Sequence, residues 1–257
     1  MTGKPPAKPP QDDALWANLR RHTAARIGLQ RPGASLATGP LLDLQLAHAR
    51  ARDAVHALLD EARLIADLSG LALPVLGVAS AVDDQQTYLM RPDLGRQLGT
   101  SAAAVLAPHV GVYDVVFVVS GGLSARAVQS HAAPVLAGVL PGLRAQNWRI
   151  SPIVIARHGR VAIGDAIAGA LKADCAVVLI GERPGLSSPD SMGAYLTWQP
   201  GEKTTDADRN CISNIRPDGI GYADAAFKLS HLMAAMRAGR HSGVALKDFS
   251  DQLLIGR

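Results

Sequence analysis

The sequence predicts an α/β fold: a Rossmann-like parallel sheet with flanking helices, preceded by a helical N-terminal region. Three observations predict it. Apolar, β-branched runs at residues 112–119, 150–156 and 176–180 are continuous enough to be buried on both faces, as the strands of a parallel sheet are. The first two runs are each followed by a Gly-containing turn and a segment of helical period, at 125–140 and 163–171. Strand–helix units in series build a parallel layer through right-handed crossovers. Before residue 100, by contrast, apolar residues recur mainly at helical spacing.

Taken in order, residues 1–12, MTGKPPAKPPQD, bury too little to order themselves, so a flexible leader is expected. Residues 13–23 suit a first helix, and 26–39, RIGLQRPGASLATG, are punctuated by Pro and Gly and predict irregular chain. Leu42, Leu46, Ala49, Val55, Leu58, Leu59, Ile65 and Leu68 predict one long helix over 40–70. Arg50, Arg52, Asp53 and His56 on its other faces fit either a solvated face or a partner surface. Residues 71–100 are rich in helix breakers and read as loops. After the third strand come polar loops, a helix over 222–237 and a tail. The expected organisation is a disordered leader (1–12), a helical region (13–100) and an α/β domain (101–257).

Composition narrows the function. With 257 residues, 48% of them hydrophobic, the chain can bury a full core. Only 4% are aromatic, so the stacking platforms of single-strand nucleic-acid binders are mostly missing. A net charge of +4, spread along the chain, argues against a phosphate-tracking groove. No apolar run approaches the ~20 residues that span a bilayer, and no secretory signal core stands at the start, which predicts a cytosolic protein. Two cysteines, Cys175 and Cys211, fit a reducing compartment, and no Cys or His spacing suggests a metal site.

Polar residues concentrate at the predicted C-terminal edge of the sheet, where open α/β sheets bind ligands. The third strand runs into Gly181-Glu182-Arg183-Pro184-Gly185. There the Glu182 carboxylate fits either a ligand acceptor or a structural ion pair with Arg183. Further on, Arg209-Asn210-Cys211-Ile212-Ser213-Asn214-Ile215-Arg216-Pro217 gathers donors, acceptors, a thiol and two cations, and is expected to be a loop. Cys211 has no basic helper in sequence and reads as a contact residue rather than a nucleophile. Val161 stands out only by its place in the turn after the second strand.

Two other strings have more ordinary explanations. Ser120-Gly121-Gly122-Leu123-Ser124 lacks the spacing of a dinucleotide or Walker loop, and close strand–helix packing accounts for its glycines; Ser124 is expected to be a helix N-cap. Ser187-Ser188-Pro189-Asp190-Ser191 admits a hydrolase triad with His109, His131 or His158. Nothing in the spacing supports the triad, and a turn and helix start before Met192 is the ordinary chemistry of such a cluster.

These strings carry a family resemblance. IGERPG (180–185) and RNCISNIRP (209–217), together with RIGL (26–29), RPGASL (31–36), ARDAVH (51–56), RPDLG (91–95), GLSA (122–125), RVAIGD (160–165) and GVALKD (243–248), resemble the small (light) subunit of ethanolamine ammonia-lyase over about nine-tenths of the chain. The resemblance implies adenosylcobalamin as cofactor and a large barrel subunit as partner, which holds the ethanolamine. It implies conversion of ethanolamine to acetaldehyde and ammonia by a radical route. Within the matching motifs it implies that Val161, Glu182 and Cys211 contact the corrinoid, with no catalytic acid or base and no metal ligand on this chain. It further implies a cytoplasmic enzyme, and permits an ethanolamine-utilisation microcompartment. The other readings are a non-enzymatic corrinoid-binding or scaffold protein and a free-standing hydrolase. One departure stands out: Gly121 occupies the place where the resemblance leads to an Asp before Gly-Leu-Ser.

Overall fold

The computed structural model describes residues 13–29 and 31–255. The leader expected at 1–12 lies outside the described residues. The chain divides into two compact units, Met1–Arg50 and Ala51–Arg257.

In the first unit, helix α1 (Asp13–Leu19) and a 3₁₀ turn (Arg20–His22) precede an irregular stretch, as the sequence predicts for 26–39. Gly28 has φ +58° and lies so close to the Trp16 ring that a Cβ there would collide with it. Helix α2 (Thr38–His56) begins in this unit.

The second unit is a layered α/β structure, which bears out the predicted α/β class, though its sheet is mixed where a parallel one was expected. Six strands pair in the order β1-β3-β2-β4-β5-β6: β1 (Val75–Ala79), β2 (Tyr113–Ser120), β3 (Ile153–Arg157), β4 (Ala173–Gly181), β5 (Met192–Trp198) and β6 (Arg209–Ile215). The three strands expected from sequence are β2, β3 and β4, and with β1 they form the parallel part. On one face α3 (Glu61–Ser69), α6 (Ala125–Ala145) and α8 (Tyr222–Gly239) cover Val115, Phe117, Val119, Val177 and Leu179. On the other, α5 (Ala102–Leu106) and α7 (Ile163–Leu171) cover Val116, Val118, Val154, Ala176 and Val178. Alternate residues of a strand point to opposite faces, so both sets must be apolar. That is why these strands read as unbroken apolar runs. Short helices α4 (Gln85–Met90) and α9 (Ser250–Ile255) complete the described α-helices. Among the described residues no helix is long and apolar enough to cross a membrane.

Five local expectations differ from the structure, and the simplest is α4, a helix capped by Asp84 within the segment 71–100 expected to be loop. The long helix expected over 40–70 ends at His56 and restarts as α3, because Asp60 takes the N-cap and accepts from Arg63 N at 3.0 Å. Residues 75–79, expected to be loop, form β1 by parallel pairing with β3. Only Val78 on this edge strand is fully buried, so its local signal is weak. Helix α6 runs past Pro141 to Ala145 because Leu140 and Leu143 are both buried in the core. Residues 192–198 and 209–215, expected as a helix start and a loop, pair as antiparallel strands added to β4. Met192, Ala194 and Leu196 alternate into the core and dictate a strand.

Candidate functional site

The C-terminal ends of β2 and β4 lie side by side, with Ser120 opposite Ile180. From β2 the chain turns toward α6 and β3, and from β4 it turns the other way toward β5. Divergence of this kind opens a crevice at the edge of an α/β sheet. A cleft of about 500 Å³ lies there, walled by Gly122 and Leu123 after β2, Arg160, Val161 and Ala162 after β3, and Ile180 to Arg183 after β4, with Tyr88, Arg96 and Tyr195 among its other walls.

Two glycines shape its floor. Gly122 has φ +59°, and a Cβ on it would strike Gly181 O; a Cβ on Gly181 would strike Ser124 O. The approach is sealed by Leu123 N, which donates to Gly181 O at 3.0 Å. Gly122 therefore serves close packing, the alternative that the sequence favoured over a phosphate loop. Gly121 differs: the nearest atom to a Cβ there is 3.5 Å away, so a Cβ fits in ordinary contact. Ser124 sits at the N-cap of α6 but does not cap with its side chain, because its hydroxyl donates to Pro189 O at 3.1 Å.

Glu182 is half-buried in the cleft wall, and its carboxylate is held by the polar 209–217 segment. Ser213 Oγ donates to Oε1 at 2.5 Å and Asn214 N donates to Oε2 at 3.1 Å. Asn214 adopts φ +59°, which turns its amide toward the carboxylate, and Gly193 leaves room for the side chain, with Oε1 3.0 Å from where a Cβ would stand. The ion pair with Arg183 that the sequence left open does not form among the described residues. An ionised carboxylate has about four acceptor sites, so two remain for a ligand.

Val161 lines the same cleft, half-buried, at the start of α7. Cys211 lies on β6 directly across from Tyr195, which lines the cleft from β5. Desolvation by its surroundings pushes the Cys211 thiol up; the Tyr195 hydroxyl opposes this, and the Glu182 charge adds to it. Tyr195 is itself pushed up, chiefly by burial and then by Cys211. The structure thus brings Val161 and Glu182 into one cleft and sets Cys211 behind its Tyr195 wall.

Behind this surface, Arg209 and Asp165 form a nearly dry ion pair. Two guanidinium nitrogens meet the two carboxylate oxygens at 2.7 and 2.6 Å, and Arg209 also donates to Thr197 Oγ1 at 2.9 Å. The side chains are 3% and 12% exposed, so this pair ties β6 and β5 to the first turn of α7 beside Val161. Asp165 of RVAIGD and Arg209 of RNCISN are in this respect structural.

Sequence reasoning missed the Tyr88–Arg160 pair. Tyr88 is buried, its hydroxyl pushed up to about 12 by desolvation, and the Arg160 guanidinium lies 4.0 Å over its ring and donates to Tyr88 O at 2.8 Å. The two residues are distant in sequence, and no local pattern joins them.

The hydrolase constellation does not assemble around His131. His131 Nε2 faces Asp190 O at 3.0 Å and Nδ1 faces the Tyr222 hydroxyl at 2.9 Å, while the Asp190 carboxylate lies 3.7 Å from Arg216. Both ring nitrogens are committed, neither of them to a serine.

Comparison with known proteins agrees with the geometry. Residues 13–247 match the family model described as ethanolamine ammonia-lyase light chain (EutC). An ethanolamine ammonia-lyase small subunit from Ralstonia nicotianae is 51% identical over 244 residues, covering 93% of this chain and 90% of that protein. Small subunits from Xanthomonas campestris pv. campestris (48% over 255 residues, 98% and 93% covered) and Azotobacter vinelandii (51% over 243 residues, 93% and 90% covered) are similar in extent. Matches that run nearly end to end at about half identity place the whole chain in one family, and it belongs to the ethanolamine ammonia-lyase light chains.

Proposed function

We propose that this chain is the small subunit of an adenosylcobalamin-dependent ethanolamine ammonia-lyase, active only with a large partner subunit that holds the ethanolamine. Its role is to close one side of the corrinoid site. The observation that carries this reading is the convergence of Val161 and Glu182, from turns after two different strands, on one cleft at the sheet's C-terminal edge.

The residues present fit an edge of a corrinoid. Val161, Leu123 and Ile180 offer apolar surface, and Glu182 has free acceptor sites for amide N–H groups. A cleft of about 500 Å³ is smaller than the whole cofactor, so a second protein surface must enclose the rest. When bound, adenosylcobalamin supplies the radical chemistry that removes the amino group, with acetaldehyde and ammonia as products. This chain's residues position and shield. Glu182, fixed by Ser213 and Asn214, accepts from the amide periphery; the apolar walls exclude water; Cys211 and Tyr195 support the rim. Both cysteines are free thiols, which suits a reducing cytoplasm and equally an ethanolamine-utilisation microcompartment within it.

The test is co-expression of both subunits and assay of ethanolamine-dependent acetaldehyde release with and without adenosylcobalamin. Release that needs both subunits and the cofactor supports the reading. No release from the intact, cofactor-loaded pair leaves a non-enzymatic corrinoid-binding or scaffold protein instead.

A further inference from the structure

The cleft carries more positive charge than the protein neutralises. Arg96, Arg160 and Arg183 all line it, and none of the three makes an ion pair among the described residues. Two carboxylates stand at the same cleft, Glu182, which Ser213 and Asn214 hold, and Asp206, which reaches toward Arg209 at 3.6 Å, so three guanidinium groups face two carboxylates. For Arg96 and Arg183, both exposed, a free guanidinium is ordinary. Arg160 is not in that position. It is half-buried, pinned over Tyr88, and its Nε is buried without a hydrogen-bond partner.

An arginine left short of acceptors inside a protein is costly unless a ligand completes it. Clefts of this sort take an anionic oxygen, and the planar guanidinium suits phosphate oxygens in particular. Cobalamin bears one such group, the phosphodiester of its nucleotide loop, whereas the side chains around its ring are uncharged amides. We therefore propose that Arg160, with Arg96 and Arg183 at the rim, seats the nucleotide-loop phosphodiester of the corrinoid. This assignment rests on the corrinoid reading above and deepens it, since it separates the residues that hold the ring from those that hold the nucleotide.

The experiment compares cobalamin with cobinamide, the corrinoid that lacks nucleotide and phosphodiester, by equilibrium binding to the reconstituted two-subunit complex. Arg160→Gln should weaken cobalamin about tenfold and leave cobinamide unchanged. Arg183→Gln, at an exposed residue with no partner to lose, should weaken cobalamin severalfold with the same selectivity. Glu182→Ala should weaken both ligands. Equal loss of both corrinoids in the arginine variants, or no loss of cobalamin, overturns the phosphodiester assignment while the Glu182 result upholds the site. If Glu182→Ala changes neither ligand, the corrinoid reading beneath the proposal fails, and the proposal fails with it.

Discussion

Ser213 Oγ donates to Glu182 Oε1 at 2.5 Å and so joins two segments that the chain separates by 31 residues. The carboxylate at the end of β4 is aimed by a hydroxyl on β6, and the strand between them, β5, contributes Gly193 as the gap through which they meet. Removing the carboxylate removes a charge-assisted contact, whereas removing the hydroxyl only loosens it. Glu182→Ala is expected to raise the cofactor Kd of the two-subunit complex about tenfold and Ser213→Ala about threefold, on the scale of one hydrogen bond. Ser213→Thr should restore most of the loss. Titration of cobalamin binding checks all three.

The Arg209–Asp165 pair predicts a stability effect of a different size. Asp165→Ala leaves the buried Arg209 guanidinium with only the solvent-exposed Asp206 as counter-charge, a change that costs about 3–5 kcal/mol. Denaturant unfolding of the purified complex should show a clear drop in midpoint, while Asp206→Ala, at a carboxylate that is 92% exposed, should show little.

Glycines in the turn after β2 should differ in their tolerance. Gly122→Ala places a Cβ against Gly181 O at a positive φ, and both strain and overpacking follow, together about 2–4 kcal/mol. Gly121→Asp meets no such wall and should leave the thermal midpoint within a few degrees of the parent. That contrast would show the departure at Gly121 to be neutral for folding, leaving cofactor affinity as the property in which to look for its consequence.

Much of this was legible in the sequence and some was not, for identifiable reasons. Strands β2, β3 and β4 announce themselves because burial on both faces demands unbroken apolar runs. Strands β5 and β6 do not. They sit toward the sheet's edge, so Ser213, Asn214 and Cys211 stay exposed and give β6 the composition of a loop. Glu182 draws attention in the sequence because turns at strand ends are where α/β sheets expose chemistry, whereas Val161 has no chemistry of its own and is singled out by the family resemblance. Arg160's partnership with Tyr88 exists only in three dimensions, as does the grip of Ser213 on Glu182.

His131 gives a pH dependence with a definite sign. Desolvation holds its imidazole below the ordinary value of 6.5, outweighing the favourable Asp190 carbonyl, and its two contacts suit the neutral ring, with Nε2–H donating to Asp190 O and Nδ1 accepting from Tyr222. The folded state therefore binds this proton less readily than the unfolded state does. Its contribution is fully present above pH 6.5 and is lost as pH falls through and below that value. Thermal midpoints measured from pH 7.5 to 5 should decline, and His131→Gln should flatten that decline.

The two thiols should react differently. Cys175 is buried, its thiol pushed up to about 12 by burial, and should resist iodoacetamide in the native protein. Cys211 is exposed and should label slowly at pH 7 and faster as pH rises, because its own thiol is also pushed up. Bound cobalamin should slow the labelling of Cys211 in the two-subunit complex, which peptide mass analysis would detect.

The most direct test of the central claim is a cryo-EM map of the reconstituted two-subunit complex with cobalamin bound. The account predicts the edge of the corrin ring over the cleft between the ends of β2 and β4, with a ring amide within hydrogen-bonding distance of Glu182 and Val161 against the macrocycle. Corrin density elsewhere in the complex, with that cleft filled by solvent or by the partner's side chains, would contradict it.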